Sequence, residues 1–393
     1  MQRIIFLVDM NAFFIGCEMT RNAELKGKPA AVAGDPKRRS GIILAANYDA
    51  RKFGVKTTMV INEAMKLCPS LILVPPDHSF YESKSKEVMD ILSTYSPLVE
   101  QNSIDEAWVD LTGCETLFGE PLEIAARIMD DIRNQLDLWC SIGISQNKFL
   151  AKMASDMKKP LGITEVWEKD IKEKIWPLPI REMYGIGKQT EKKLGNIAIF
   201  TIGDIARCDK ALLTKLLGKS GEELHRLSNG IDLSPVSEER HRECKSITRS
   251  RTLPQDTNDL EHAKTVLMKL AEEIGMEARK YGIKGKTISI EIKYGDFQSI
   301  TRQKSIKYTN LTRNIYETGI EVLTANWNVN RPVRLLGIRL TNFQGSTSEQ
   351  MSLFDLGELE VNDEKEEKIE NAMDRIRERY GKDKVLRAKV MEN

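Results

Sequence analysis

The sequence predicts an α+β chain built from several domains. Three observations carry this. A length of 393 residues allows two to four domains at roughly 100–200 residues each. Residues 1–165 read β-α-β-β-α-β, the split βαβ pattern. Residues 246–342 read strand, helix, strand, strand, helix, strand, after a stretch of short helices and glycine turns.

The first block follows from periodicity. Arg3–Val8 is an apolar run ending at Asp9, the form of a buried strand with a polar residue at its end. Ser79–Tyr95 is helical, with Val88, Ile91 and Leu92 at helical spacing. Leu98–Asn102 and Ala107–Leu111 are strands around the turn Ser103-Ile104-Asp105-Glu106. Glu123–Leu136 carries Ile124, Ile128 and Ile132 on one stripe. Cys140–Ser145 is a strand, and the helix Asn147–Met157 stops before Pro160. The insert between the first strand and first helix, Asn11–Pro75, is long enough to form a subdomain.

Trp176-Pro177-Leu178-Pro179 reads as a linker element. After it, Tyr184-Gly185-Ile186-Gly187-Lys188 enters the helix Gln189–Leu194, and a second glycine turn follows at Thr201-Ile202-Gly203-Asp204. Such turns expose backbone N–H groups to a phosphate, or are simply turns. Leu233–Lys245 is charged and irregular, a linker. In the last block Arg249, Arg251, Lys284, Lys286, Arg302, Lys304, Lys307, Arg334 and Arg339 lie on or beside strands, where alternation can gather many on one face. The tail ends in a helix with Ile369, Ala372, Met373, Ile376 and Tyr380 on one stripe.

Composition narrows the class. Hydrophobic residues make up 41% and charged residues 30%, ordinary for a soluble globular protein. No apolar run approaches the roughly 18 residues that span a bilayer, and the apolar N-terminus holds an aspartate and no small-residue cleavage site. The six cysteines are scattered without a C-x-x-C pair, which argues against disulfides or zinc and fits a reducing cytoplasm. Net charge is +1, but residues 244–342 hold 17 Lys and Arg against 10 Asp and Glu. Residues 343–393 hold 9 against 13. A basic segment before an acidic tail is either an electrostatic footprint or a pair of solvated faces.

Asp9 closes the first strand, and Asp105 and Glu106 sit in a hairpin turn. The first and third strands of a split βαβ sheet are neighbours, so the three carboxylates can converge. Oxygen ligands suit a hard cation such as Mg²⁺, and two such ions can drive phosphoryl transfer. The alternative is that strand-end acids are solvated and that turns attract Asp.

Four segments, VDMNAFF at 8–14, NYDARKFGV at 47–55, SIDEAWVDL at 103–111 and GISQNKFLAKMASDMKKPLGI at 143–163, resemble motifs of the Y-family DNA polymerases in order and spacing. The resemblance runs to about residue 342 and implies a right-hand polymerase. Its palm would be a ferredoxin-like sheet from 1–10 and 76–165, with small fingers at 11–75. A helical thumb with a helix-hairpin-helix would span 166–231, a linker 232–243, an α/β little finger 244–342 and a tail 343–393. It further implies an error-prone, lesion-bypassing enzyme without a proofreading exonuclease, acting as a cytoplasmic monomer on primer–template DNA and dNTPs.

The resemblance also assigns residues. Asp9, Asp105 and Glu106 would hold two Mg²⁺ ions, with the Met10 carbonyl at the nucleotide metal. Phe14 falls at the steric gate against a ribose 2′-hydroxyl, with Phe13 packing below the sugar. Tyr48, Arg51 and Lys159 match triphosphate contacts; Arg51 offers a bidentate fork, and the i to i+3 spacing puts it on one helical face with Tyr48. Gly185, Gly187 and Lys188, and the basic residues Arg249, Arg251, Arg302, Lys304, Arg334 and Arg339, are the candidate DNA contacts. Gln350, Met351, Ser352, Leu353 and Phe354 resemble the sliding-clamp-binding peptide of bacterial polymerases, here followed by 355–393.

Three positions depart from the family pattern. Ala45 stands where relatives carry a hydroxyl on the triphosphate, Thr58 adds bulk expected to narrow the space over the nascent base pair, and Trp108 replaces a common tyrosine as a packing change. Two rival readings remain at this level: another two-metal enzyme on the same palm, such as a nucleotidyl cyclase, and a non-catalytic DNA-binding scaffold.

Overall fold

The computed structural model describes residues 2–35, 41–237, 244–344, 360–381 and 384–385. The peptide Gln350–Phe354 lies outside the described residues. The chain forms two compact units, residues 1–242 and 243–393.

The first unit opens with β1 (Ile5–Met10) and α1 (Phe13–Arg21). The insert follows as β2 (Ala30–Ala33), β3 (Ile43–Ala46), α2 (Tyr48–Lys52), α3 (Ile61–Leu67) and β4 (Ile72–Val74). Next come α4 (His78–Ser93), β5 (Val99–Gln101), β6 (Glu106–Asp110), the single turn α5 (Glu115–Phe118) and α6 (Pro121–Leu136). β7 (Cys140–Ser145), α7 (Lys148–Met157) and β8 (Ile163–Glu165) complete a five-stranded sheet of order β5-β6-β1-β7-β8. β1 lies between β6 and β7, antiparallel to both, and is buried throughout.

Alternation along β1 sorts its side chains onto two faces. Phe6 and Val8 join Val88, Leu92, Ile124, Ile128 and Ile132 of α4 and α6 in the main core. Ile5 and Leu7 face the other way, with Trp108 and Ala151 of α7. Asp9 shares that parity, so it faces α7. The helix lies so close to β7 that a Cβ at Gly143 would stand 2.0 Å from the Ala151 carbonyl oxygen; only glycine fits there.

The insert builds its own sheet of order β3-β2-β4. Ala31, Ala33, Ile43 and Ala46 form a small core with Ala50, Ile61, Ala64 and Leu71. The opposite face, Ala30, Val32 and Ala45, joins the main core, so the insert is anchored through half of its sheet.

Beyond β8 lie α8 (Lys188–Gly195), α9 (Ile202–Arg207), α10 (Lys210–Leu217) and α11 (Lys219–Ser228). Their core takes in Phe149, Leu150 and Met153 of α7, which therefore serves sheet and helices at once. Three expectations change here. Trp176-Pro177-Leu178-Pro179 is not a linker: the Trp176 indole N–H donates to the Ser228 carbonyl at 3.0 Å, and Arg207 lies over its ring. The Gly203 turn offers no N–H to a phosphate, because that N–H donates to the Trp176 carbonyl at 2.9 Å inside α9. The expected linker also begins differently, since Val236 is buried against Ile5, Leu7, Trp108 and Ala151.

The second unit contains β9 (Ser246–Thr257), α12 (Leu260–Lys280), β10 (Gly285–Tyr294), β11 (Ser299–Thr309), α13 (Thr312–Ala325) and β12 (Val333–Phe343). The sheet order is β11-β10-β12-β9. α12 and α13 cover one face through Ile288, Ile290, Ile292, Leu336, Ile338 and Leu340. α14 (Glu360–Tyr380) follows. It does not bury the expected apolar stripe: Ile369, Ile376 and Tyr380 are exposed. Its polar face docks instead. Glu370 is buried against Arg279 of α12 and accepts from the Thr312 N–H and hydroxyl, while Asp374 receives the Arg279 Nε at 2.7 Å. A buried arginine that needs acidic partners outweighs the stripe, which a few exposed carbons can leave to solvent.

Candidate active site

A cavity of about 390 Å³ opens between the first sheet, α7 and the insert. One wall carries Asp9, Met10, Asp105 and Glu106, with Lys159 beside Asp9; the others include Phe13, Phe14, Ala45, Tyr48 and Arg51. The register of β1 on β6 places Asp9 directly across from Glu106, and the Met10 N–H donates to the Asp105 carbonyl at 2.9 Å. The hairpin thus brings all three acids to one cavity.

Their side chains are not equivalent. Lys152, from α7, donates to Asp9 at 3.0 Å and also to Glu106. Lys159 donates to Asp9 and sits beside Asp156, both at 2.7 Å. Asn102 donates to the second Glu106 oxygen at 2.9 Å. Asp105 accepts from the Ser103 hydroxyl at 2.6 Å. Burial pushes the Asp9 carboxyl up, helped by its hydrogen bond to Glu106, and the two lysines only partly offset this. Burial also acts on Glu106, but hydrogen bonds from Asp9 and Lys152 outweigh it and hold that carboxyl below its usual range. Attraction to Asp9 and Glu106 outweighs burial at Lys152 and holds its ammonium charged.

The donors are all oxygen, which fits a hard divalent cation. Among the described residues, however, no three acidic, histidine or cysteine side chains stand as a ready ligand cluster. Asp9 and Glu106 come together, with Lys152 between them, while Asp105 turns to Ser103.

The opposite wall suits an anion. Tyr48 and Arg51 share one face of α2, with the guanidinium 4.8 Å from the ring centre. Arg51 is aimed by its Nε, which donates to the Ala46 carbonyl at 2.9 Å. The Tyr48 hydroxyl is buried with no hydrogen-bond partner, an arrangement that costs about 1–3 kcal/mol unless a ligand oxygen meets it. Asn47 caps α2 by accepting from the Ala50 N–H at 2.9 Å. Ala45 lines the cavity and brings no hydroxyl. Thr57, not Thr58, reaches the lining; Thr58 is exposed at φ +70°. Thr58 therefore does not narrow this cavity.

Phe13 is buried, and Phe14 presents its ring to the cavity. Phe14 stacks on Tyr81 at 4.5 Å between centroids and 15° between planes. Tyr81 is locked in turn, its hydroxyl donating to the buried Glu18 at 2.7 Å. Sequence reading missed Lys152, Asp156, Asn102 and Tyr81. The recurrence of Lys148, Lys152 and Asp156 at four-residue intervals on α7 was the one available signal.

The candidate DNA contacts divide. Gly185, at φ +94°, Gly187 and Lys188 are exposed at the entrance to α8, with nothing within 4 Å of a Cβ built at either glycine. In the second unit the strand registers put Arg249, Arg251, Arg302 and Lys304 on one face, but it is the face the helices cover. Arg249 pairs with Glu277, Arg251 with Glu273 at 3.2 Å and Lys304 with Glu321 at 2.6 Å. Arg334 lies over the Phe297 ring. Arg339 alone of the six is placed by its register on the open face, where it donates to Thr248 among Ser250, Ser289, Gln303 and Thr341.

Comparison with known proteins agrees with this arrangement. Residues 8–156 match the impB/mucB/samB family, 168–197 the helix-hairpin-helix motif of that family and 244–353 its C-terminal domain. A DNA polymerase IV from Clostridium kluyveri is 59% identical over 97% of this chain and 96% of its own length. One from Alkaliphilus oremlandii is 52% identical over the whole of both chains. Among solved structures, a Y-family DNA polymerase chimera aligns with a TM-score of 0.77 and 30% identity, covering 86% of this chain and 98% of that one. Motifs, fold and relatives therefore agree that the chain belongs to the impB/mucB/samB family, the Y family of DNA polymerases.

Proposed function

We propose that this chain extends a primer on damaged as well as intact template by two-metal nucleotidyl transfer, without proofreading. The observation that carries the reading is one cavity lined by carboxylates and, across from them, by Tyr48 and Arg51, with Lys159 standing beside Asp9. Asp9, Asp105, Glu106 and the Met10 carbonyl would hold two Mg²⁺ ions, which supply charge to activate a hydroxyl and stabilise a leaving oxygen when bound. Arg51 and Lys159 bind and orient the triphosphate, and the unpartnered Tyr48 hydroxyl donates to one of its oxygens. Phe14 faces the sugar. The exposed turn at Gly185 and Gly187, and the open sheet face bearing Arg339, grip primer–template mainly through phosphates, which carries no sequence preference.

In this reading palm, fingers, thumb and little finger lie at the boundaries given above. The same reading takes the enzyme to be of low fidelity, monomeric and cytoplasmic, with a sliding-clamp contact through Gln350–Phe354. The scaffold alternative is disfavoured by the assembled acids and phosphate-binding side chains. The decisive experiment is primer extension by Asp105→Ala and Glu106→Ala. Each is expected to fall at least about a thousandfold, some 4 kcal/mol in barrier, while DNA binding in low salt survives. Near-normal extension by either variant overturns the assignment.

A further inference from the structure

The segment that leaves α11 does more than connect. Asp232 accepts the Phe149 N–H at 3.1 Å, in the first turn of α7, and its other oxygen accepts from the Ser234 N–H at 3.0 Å. The Gly230 carbonyl accepts from Asn147, the residue that caps α7, at 2.8 Å. Val236 is buried in the apolar cluster between α7 and the sheet. The Ser237 N–H donates to Glu100 at 2.9 Å. Residues 230–237 thus form a strap across the N-terminal end of α7.

Under that strap lies a buried ion pair that the reaction does not use. Lys148 and Glu100 meet at 2.6 Å, each side chain 3% exposed. The Lys148 ammonium also stands 4.2 Å from the Trp108 ring centre, and its carbonyl accepts the Trp108 indole N–H at 3.1 Å. Trp108, taken from sequence as a packing change, is thus a second clasp on α7. Lys148 is one helical turn from Lys152, which touches both Asp9 and Glu106.

We propose that the strap and the Glu100–Lys148 pair set the placement of α7 for catalysis, with Asp232, Glu100 and Lys148 as positioning residues that hold Lys152 between Asp9 and Glu106. The inference rests on the polymerase reading above. An ångström of misplacement at a reacting centre costs on the order of a hundredfold. Because Lys152 meets the carboxylates and not the triphosphate wall, the loss should fall on the maximal rate and not on nucleotide KM.

The test uses the full chain in single-nucleotide insertion on saturating primer–template, with dNTP titrated, for Asp232→Ala, Glu100→Gln, their double variant and Glu106→Ala. Thermal unfolding and DNA binding are followed in parallel. Asp232→Ala, on the half-exposed strap, should lower the maximal rate at least about tenfold, with KM, DNA affinity and Tm close to those of the unaltered chain. The double variant should lose no more than its worse single member, because both changes act on one placement. A maximal rate in Asp232→Ala near that of the unaltered chain overturns the proposal. So do losses that multiply in the double variant, or a loss matched by the fall in folded protein. If the unaltered chain does not extend a primer, or Glu106→Ala does so normally, the polymerase reading itself fails and this proposal falls with it.

Discussion

Phe14 is held by two neighbouring rings, which also meet each other edge-on. Tyr81 stacks beneath it, His78 meets it edge-on at 5.8 Å between centroids, and Glu18 fixes the Tyr81 hydroxyl. A surface this stiff can reject one extra hydroxyl by clash and by stripping it of water, the latter costing roughly 1–3 kcal/mol. Phe14→Ala should therefore raise ribonucleotide insertion at least about tenfold, since 1.4 kcal/mol corresponds to that factor, and deoxynucleotide insertion should fall much less. The measurement is the ratio of the two insertion efficiencies in parent and variant. An unmoved ratio would make Phe14 a packing residue and direct attention to Phe13. The same scale explains the acids: burial and the hydrogen bond shared with Glu106 push the Asp9 carboxyl up, while that same bond, with Lys152, holds the Glu106 carboxyl down against its own burial.

At the scale of elements, α7 and α14 show two uses of a buried charge. α7 packs on the sheet through Ala151 and on the helical core through Phe149, Leu150 and Met153, and its lysines reach the acids between. α14 is fixed to α12 by charge and not by its apolar stripe. Glu370→Ala would strand Arg279, 2% exposed, without one of its two acidic partners on α14. Breaking a buried pair from one side costs about 3–5 kcal/mol. Amide hydrogen exchange in α12 and α13 should accelerate accordingly, by about a hundredfold or more. Unchanged exchange would show that the docking of α14 contributes little to the second unit.

At the scale of the whole molecule, the peptide at 350–354 is tested by its removal. Deleting Gln350–Phe354 should leave extension on a short template intact and abolish stimulation by the cognate clamp, because a tether acts by raising local concentration at the primer end. Clamp stimulation that persists in the deletion would mark the motif as a coincidence. Among the described residues no helix is long and apolar enough to cross a membrane.

Much of this was legible in the sequence, and the reason is local periodicity. β7 matches its expected span, Cys140–Ser145, and the order strand, helix, strand, strand, helix, strand expected for 246–342 is the one observed. Asp9, Asp105, Glu106, Phe14, Tyr48, Arg51 and Lys159 all line the expected cavity, since motif order follows chain order through one compact sheet and its insert. What the sequence could not determine depends on partners distant along the chain. Strand alternation showed that the basic residues could share a face, but not which face the helices would cover. The sequence showed an apolar stripe on α14 but no partner for the helix, and an arginine some ninety residues away on α12 supplied one for its polar face. Lys152 became part of the site only through the close approach of α7 to β7 that Gly143 permits. Local pattern sets elements and their sidedness; which side meets which neighbour, and which charge is left needing a partner, is settled only when the elements pack.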